Sequence, residues 1–448
     1  MSFKRITKFS LLLTFLLTAC ATYQAKPLNT EQSKNSVSEQ LTIQVKQLKH
    51  PLLKTIDFNL NDGVSPDEAA IIAVLKNSEL QLARNKQSIA GAQLLQAGLL
   101  PNPSIAYNFL DTTGGLDKGK VAGYGLSLNW EITALLTQDN KISAAKADYQ
   151  AINLQIAWQE WQIAQAAKSA CYQLQVYNQQ QALLGANLKR LDTNNAQLKQ
   201  AQALGLVTEL ESMSVLTAQT SLESRLQAVI QQKEIQQQRF NRALGLQPQE
   251  LISIQAQLLP DSVNVANYQQ LTKNLAEQRL DLLALKQSYQ AQEAQLQSAV
   301  LQQFPKISIG ITHSKNNSDY YTMGAGVSLS LPVFDQNQGA IALATASRQM
   351  VFDEYHNRDF QSKADIAELL VTIEAVNTEL KNAHKALLSL EALLKAYDKA
   401  SEQEQIDNIA YYSAWNAVSD KQVDILSLQL HLIEARIALE TATGRYLL

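Results

Sequence analysis

From Tyr321 to Leu331 apolar and small polar residues alternate one for one. Tyr321, Met323, Ala325, Val327, Leu329 and Leu331 share one parity, and Thr322, Gly324, Gly326, Ser328 and Ser330 the other. Successive side chains of a strand point to opposite faces, so the run predicts a strand with one apolar and one small polar face. A similar run sets Tyr124, Leu126, Leu128 and Trp130 against Gly123, Gly125, Ser127 and Asn129. Two more place Ile105, Tyr107 and Phe109 against Ser104, Ala106 and Asn108, and Ile307, Ile309 and Ile311 against Ser308, Gly310 and Thr312. The predicted strands cover about 103–110, 121–130, 305–313 and 321–331.

The remaining ordered pattern is helical. Ser65, Pro66 and Glu68 combine an N-cap, a first-turn proline and a capping box, opening a helix that continues to about Gly98. Pro101 and Pro103 end it, because neither can donate a backbone hydrogen bond. After the second strand the helical pattern runs from about Asp139 to Leu204. At 1.5 Å per residue this is a rod of roughly 100 Å, for which a globular domain has no use. Gly205 and Leu206 turn the chain, and a second helix spans about Thr208 to Leu244, closing at Gly245.

The plan then repeats. Leu282 follows Leu80 by 202 positions and Pro305 follows Pro103 by 202. Gly324 follows Gly123 by 201, and Gly444 follows Gly245 by 199. So steady an offset signals an internal duplication, with a first repeat over 65–250 and a second over 251–448. Each repeat reads helix, strand, strand, long helix, turn, helix.

The N-terminus reads as a targeting segment. Lys4, Arg5 and Lys8 precede the apolar "FSLLLTFLL", and Leu17-Thr18-Ala19-Cys20 resembles the bacterial lipoprotein box. That resemblance implies a signal peptide over 1–19, cleavage before Cys20, and acylation of its thiol. Ala21, rather than Asp, follows the Cys, which implies the outer membrane as destination. Residues 20–64 are polar and weakly patterned and read as a lipidated tether. The other cysteine, Cys171, lies in a helical run and reads as a small apolar packing residue.

Strands of about ten residues match the length of a transmembrane β-strand. Four of them cannot close a barrel, and open edges are not tolerated in hydrocarbon. The long helices also need neighbours to cover their apolar stripes. Three copies pooling their strands would give twelve, with the small polar parity lining a wet interior and the large apolar parity facing lipid.

In all these features the chain resembles the TolC-type outer-membrane efflux factors of the lipoprotein kind, over about residues 60–448. The carrying residues are Cys20, the twofold repeat and the Gly-rich strands; "LPVFDQNQGAI" resembles the strand-to-helix passage of the heavy-metal-efflux branch. The resemblance implies a mainly α fold with a small β part: a homotrimeric duct with a long periplasmic α-helical barrel and a 12-strand transmembrane β-barrel, four strands per chain. It implies a periplasmic adaptor (membrane fusion protein), an inner-membrane pump of the RND or another type, and a lipid-anchored place in the Gram-negative outer membrane. Metal cations are the substrate implied by that branch, with drugs or other organic molecules as the alternative. A lipid-anchored coiled-coil scaffold without a channel is the competing class, and it leaves the four alternating strands unexplained.

Site residues follow from the same resemblance. Gly205 and Thr208 keep the Gly-x-x-Ser/Thr pattern of the first periplasmic tip, and Glu404 to Asp407 occupy the second, with Glu404 where glycine is usual. These four are the expected adaptor contacts. Glu402, Glu404 and Asp407 would form an acidic gate, or else a solvated helix end; the family's own acidic positions hold Ala410 and Ser413. Pro332, Asp335 and Gly339 mark the strand-to-helix turn, where Asp335 or Asn337 would cap the helix. Tyr411, Tyr412 and Trp415 fall on one helix and read as packing residues rather than a ligand cage. No nucleophile–base arrangement, cofactor motif or metal-ligand spacing is found among the five scattered histidines. A formal charge of -3 without a basic run gives no footprint for nucleic acid.

Overall fold

The computed structural model describes residues 23–28, 50–53, 59, 62–115, 119–205, 207–250, 252–257, 259–401 and 408–447. The chain divides into two compact units, Met1–Lys46 and Gln47–Leu448. Cys20 and the signal segment lie outside the described residues.

The second unit opens at the predicted capping box. Ser65 Oγ accepts the Glu68 N–H at 3.3 Å, and the Glu68 carboxylate accepts the Ser65 N–H at 2.9 Å. Helix α1 (Pro66–Lys76) follows, but the helix expected to reach Gly98 is interrupted. Asn77 leaves the helical region at ψ 126 and caps α2 (Ser78–Ala97), its Oδ1 accepting the Glu79 N–H at 2.8 Å. An Asn side chain competes in this way with the helical backbone pattern. Strands β1 (Ser104–Leu110) and β2 (Gly123–Glu131) lead into α3 (Ala134–Ala203), whose 70 residues span about 105 Å. Helix α4 (Glu209–Leu244) returns along it.

The second half begins with the short α5 (Tyr268–Thr272) and α6 (Leu275–Gln278), then α7 (Leu280–Leu301). Strands β3 (Lys306–Lys315) and β4 (Tyr321–Ser330) precede α8 (Gln338–Ser401) and α9 (Asn408–Thr443).

The long helices pack as antiparallel coiled coils. Leu184 and Leu191 of α3 share a core with Val215 and Leu222 of α4. Ile366, Ile373 and Leu380 of α8 share another with Leu439, Leu432 and Ile425 of α9. Each set recurs every seven residues, the spacing that keeps an apolar seam on one side of a supercoiled helix. A third core joins α1, α3 and α4 through Ile72, Cys171, Leu174, Phe240 and Leu244. Burial pushes the Cys171 thiol up to about 12, with Glu68 adding to the shift, so it stays protonated and inert.

Residues 50–53, read from the sequence as tether, are docked on α3. The His50 Nδ1 accepts the N–H groups of Leu52 and Leu53 at 3.0 and 3.1 Å, which leaves Nε2–H to donate to Ala157 O at 3.0 Å. The ring is therefore neutral. Burial lowers its pKa, opposed by the Ala157 hydrogen bond and by the Glu160 carboxylate 3.5 Å away. A histidine with a lowered native pKa contributes least destabilisation above the ordinary value near 6.5. As pH falls below that value the unfolded state takes the proton first, and stability drops. We expect melting temperature to fall more steeply between pH 7.5 and 5.5 in the wild type than in His50→Leu. Fluorescence of Trp158 and Trp161, buried beside Leu52 and Leu53, reads the transition. Parallel pH profiles would refute this account.

Candidate functional site

Strands β1 to β4 form one antiparallel sheet in sequence order. The β2–β3 ladder joins the two halves of the chain, pairing Leu128 with Ile311 and Trp130 with Ile309. Registers align the parities across all four strands. One apolar rung runs Ile105, Leu128, Ile311, Ala325, and the next runs Tyr107, Leu126, His313, Met323. The opposite face carries Ser104, Asn129, Gly310, Gly326 and then Ala106, Ser127, Thr312, Gly324. A Cβ on Gly310 would meet the Asn129 carboxamide lying across it, which would have to turn aside. Gly324 and Gly326 have open space above them.

Neither face is covered within one chain. Ile105 is 73% exposed, Val327 65% and Met323 80%. An aqueous surface does not tolerate so continuous an apolar face, whereas hydrocarbon does. Among the described strand residues the polar face carries charge only at Glu131 and Lys306, both at the end that joins the helices.

Aromatic residues stand toward both ends of the apolar face, with the Ile307–Leu329 rung beyond Trp130. At the end far from the helices the rings of Tyr107, Tyr124, His313 and Tyr321 form a row with centroid separations of 6.4, 6.0 and 6.3 Å. At the helical end the Trp130 Nε1–H donates to Pro101 O at 2.9 Å. Strands β3 and β4 have 10 residues each. Ten residues extend about 34 Å, and a tilt near 40° reduces this to about 25 Å, the height of a membrane barrel's apolar band.

The expected strand-to-helix turn is built differently from the expected cap. Strand β4 ends at Ser330, before Pro332. Asp335 Oδ1 accepts the Asn337 N–H at 2.9 Å, closing a turn, and Asn337 sits in the left-handed region at φ 62. The Asn337 side chain does not cap α8; its Nδ2 donates to Ala299 O at 2.7 Å, fastening the turn to the end of α7. Gly339 lies in the first turn of α8 with open space around it.

At the far end of α3, Gly205 takes a φ of 75 and Thr208 caps α4. Thr208 N–H donates to the Glu211 carboxylate at 2.9 Å, and Glu211 N–H to Thr208 Oγ1 at 3.3 Å. Glu402, Glu404 and Asp407 of the second tip lie outside the described residues. Tyr411, Tyr412 and Trp415 are buried in the α3–α4 core cluster.

The structure also brings together a polar seam between α3 and α9 that sequence reading missed. Gln173, Gln180 and Asn187 meet Glu434, Ser427 and Ser419 in turn, at 2.5, 3.1 and 2.8 Å. Their spacing of seven on α3 was the available signal. Toward the tip, Arg190 of α3 lies 3.3 Å from the Tyr411 hydroxyl, which donates to Asp398 of α8 at 3.2 Å. Burial raises the pKa of that hydroxyl, with Arg190 opposing and Asp398 adding. Arg225 of α4 pairs with Asp420 of α9. These groups tie the α3–α4 hairpin to the α8–α9 hairpin. Among the described residues no cluster of His, Cys, Asp and Glu could hold a metal ion, and no helix is long and apolar enough to cross a membrane.

Solved structures share this arrangement. The outer membrane protein VceC of Vibrio cholerae superposes with a TM-score of 0.70 at 16% identity, over 85% of this chain and 96% of its own. The open state of the MtrE outer membrane channel of Neisseria gonorrhoeae gives 0.69 at 14%, over 95% and 97%. The CmeC outer membrane channel of Campylobacter jejuni gives 0.68 at 14%, over 94% of each. The fold is that of the TolC-type outer-membrane channels. No protein-family profile and no curated sequence matches the chain. The likeness therefore rests on the helix–sheet–helix plan, with the four-strand sheet and the paired helical hairpins in the same order as in these channels.

Proposed function

We propose that three copies of this chain assemble into a duct that carries substrate across the outer membrane. The supporting observation is the sheet: four strands with free edges at β1 and β4 and an uncovered apolar face. Only closure removes such edges in hydrocarbon, and twelve strands close where four do not. The polar face, with Gly324, Gly326 and Ser328, then lines the water-filled side. Phe360, Val371 and Leu388 of α8 remain exposed in one chain and would be covered by neighbouring copies.

On this reading Cys20 carries the lipid, and the tips near Gly205, Thr208, Glu404 and Asp407 meet the periplasmic adaptor. Glu402, Glu404 and Asp407, tripled, form an acidic entrance that favours cations. The duct is passive; an inner-membrane pump supplies energy and selects the substrate. Metal cations are the proposed cargo, with drugs or other organic molecules as the alternative.

Single-channel conductance of the full-length purified protein in a planar bilayer tests the duct. Cation-selective conductance from a trimer is expected, and a monomer that conducts nothing would leave the scaffold reading. The ties between hairpins make a further prediction. Exposed ion pairs contribute at most about 1 kcal/mol each, but two ties in each of three copies sum to roughly several kcal/mol. If opening the duct parts the two hairpins of each copy, Arg190→Ala combined with Arg225→Ala should raise the open fraction at least several-fold with the fold intact. An unchanged open fraction would mean that the ties only support packing.

A further inference from the structure

A groove of about 840 Å³ lies between the segment Leu100–Pro103 and the apolar face of the sheet. Its floor is the two rungs that hold Trp130, Ile309 and Val327, and then Leu128, Ile311 and Ala325. Ala325 is the smallest side chain on the apolar face of β4, and it sits beside Met323 and Val327. The face is therefore dented where its neighbours are bulky. Leu100, Pro101 and Pro103 raise a wall over one side of the dent.

Little in this groove asks for a polar partner. Pro101 and Pro103 have no N–H to offer. The Trp130 indole N–H, the natural donor here, is already given to Pro101 O at 2.9 Å. The strand backbones on the floor are engaged in the β2–β3–β4 ladders.

Its depth identifies the occupant. The groove starts at the Trp130 rung, runs one rung into the sheet and ends two rungs short of the distant row of Tyr124, Lys315 and Tyr321. Both aromatic levels are the kind that mark membrane–water interfaces, so the groove falls within the hydrocarbon band, toward its helical end. A soluble peptide or polar metabolite does not reach that depth. A hydrocarbon chain does, and a cleft with a floor and a side wall makes more dispersion contacts along it than a smooth face.

We propose that this groove holds one acyl chain of a phospholipid from the periplasmic leaflet, with its headgroup at the level of Trp130 and Asn102. The proposal rests on the reading that this sheet is membrane-inserted. Such a lipid would brace the Leu100–Pro103 segment, where the chain passes from α2 into β1.

The test uses the full-length protein in liposomes of phosphatidylethanolamine and phosphatidylglycerol. A small share of the phosphatidylethanolamine carries a diazirine on one acyl chain a few carbons from its carbonyl. After irradiation, labelled positions are mapped by peptide mass spectrometry. Labelling of Leu100–Pro103 and Trp130 should exceed that of Phe109 and Met323 several-fold, although the latter pair are 62% and 80% exposed on the same face. Ala325→Phe fills the dent and should reduce the excess to the level of Phe109. Ala325→Val, a smaller intrusion, should reduce it in part and serves if the larger variant does not assemble. A conducting trimer labelled evenly over the apolar face, or one whose pattern ignores both substitutions, overturns the groove alone. A conducting trimer whose Leu100–Pro103 segment takes no label while the rest of the apolar face does overturns it in favour of protein cover. A non-conducting monomer removes the duct reading and this proposal together.

Discussion

Ile311→Arg should keep the chain out of the membrane, whereas Thr312→Arg, one residue further on, should not. Ile311 sits on the apolar face in the rung with Ile105, Leu128 and Ala325. That rung lies between the two aromatic levels, one rung from Trp130 and two from Tyr124 and Tyr321. A lipid-facing arginine at the bilayer midplane costs roughly 2–4 kcal/mol, and the proposed trimer would bear it three times. Thr312 pairs with Ser127 and Gly324 on the other face, where Gly324 leaves open space. An arginine there would project into the water-filled side and add three cations to the lumen. Membrane fractionation should show loss of insertion for Ile311→Arg alone. Reversal potentials in a salt gradient should shift toward anions for Thr312→Arg alone. The converse pattern would mean that the faces are assigned the wrong way round.

Gly245→Ala should destabilise the protein more than Gly444→Ala, although both glycines end long helices in the left-handed region. Their φ values are 71 and 67, and an L-residue there costs roughly 1–2 kcal/mol. What separates them is the surroundings. A Cβ on Gly245 would lie 2.6 Å from Lys76 O, 2.8 Å from Lys76 C and 3.0 Å from Asn77 N, all backbone atoms at the α1–α2 break. A Cβ on Gly444 would meet the Arg279 Cγ at 3.2 Å and Cα at 3.3 Å, a milder approach. Overpacking against atoms that cannot move adds roughly 1–3 kcal/mol at Gly245. Thermal melts of the two variants in detergent should rank Gly245→Ala clearly below Gly444→Ala. Equal losses would mean that the α1–α2 break yields to the extra carbon.

The two glycines also show how the halves of the chain relate. Gly245 packs on Lys76 and Asn77, where α1 gives way to α2, and Gly444 packs on Gln278 and Arg279, where α6 gives way to α7. Arg279 holds its junction firmly. Its guanidinium is buried, bonds Asp281 at 2.9 and 2.6 Å, and donates to Ala442 O at 2.7 Å. At the first junction a small Asn cap serves instead.

Local chemistry was legible from the residues alone. Two-residue alternation set the faces of the strands, because side-chain direction in a strand depends only on parity. The Ser65–Glu68 box and the left-handed glycine after α4 are likewise short-range devices, and both occur where the residues indicate. Tertiary structure decided what distant segments do to one another. The β2–β3 pairing spans some 180 positions, and nothing local specifies its register. Asn77 interrupts a pattern that reads as continuous helix because its side chain caps α2 at a junction packed against Gly245. His50 lies in a stretch without periodicity and becomes a buried acceptor only through α3. Asn337 has the residue type of a helix cap, yet its left-handed backbone and the bond from its Nδ2 to Ala299 O aim the side chain at the end of α7 instead. The α3–α9 seam depended on which stripe of a polar, Gln-rich helix met its neighbour, and composition cannot choose among similar stripes. Parity and capping follow from covalent geometry and bonds a few residues long; partners a hundred residues apart are selected by packing, which exists only once the chain has folded.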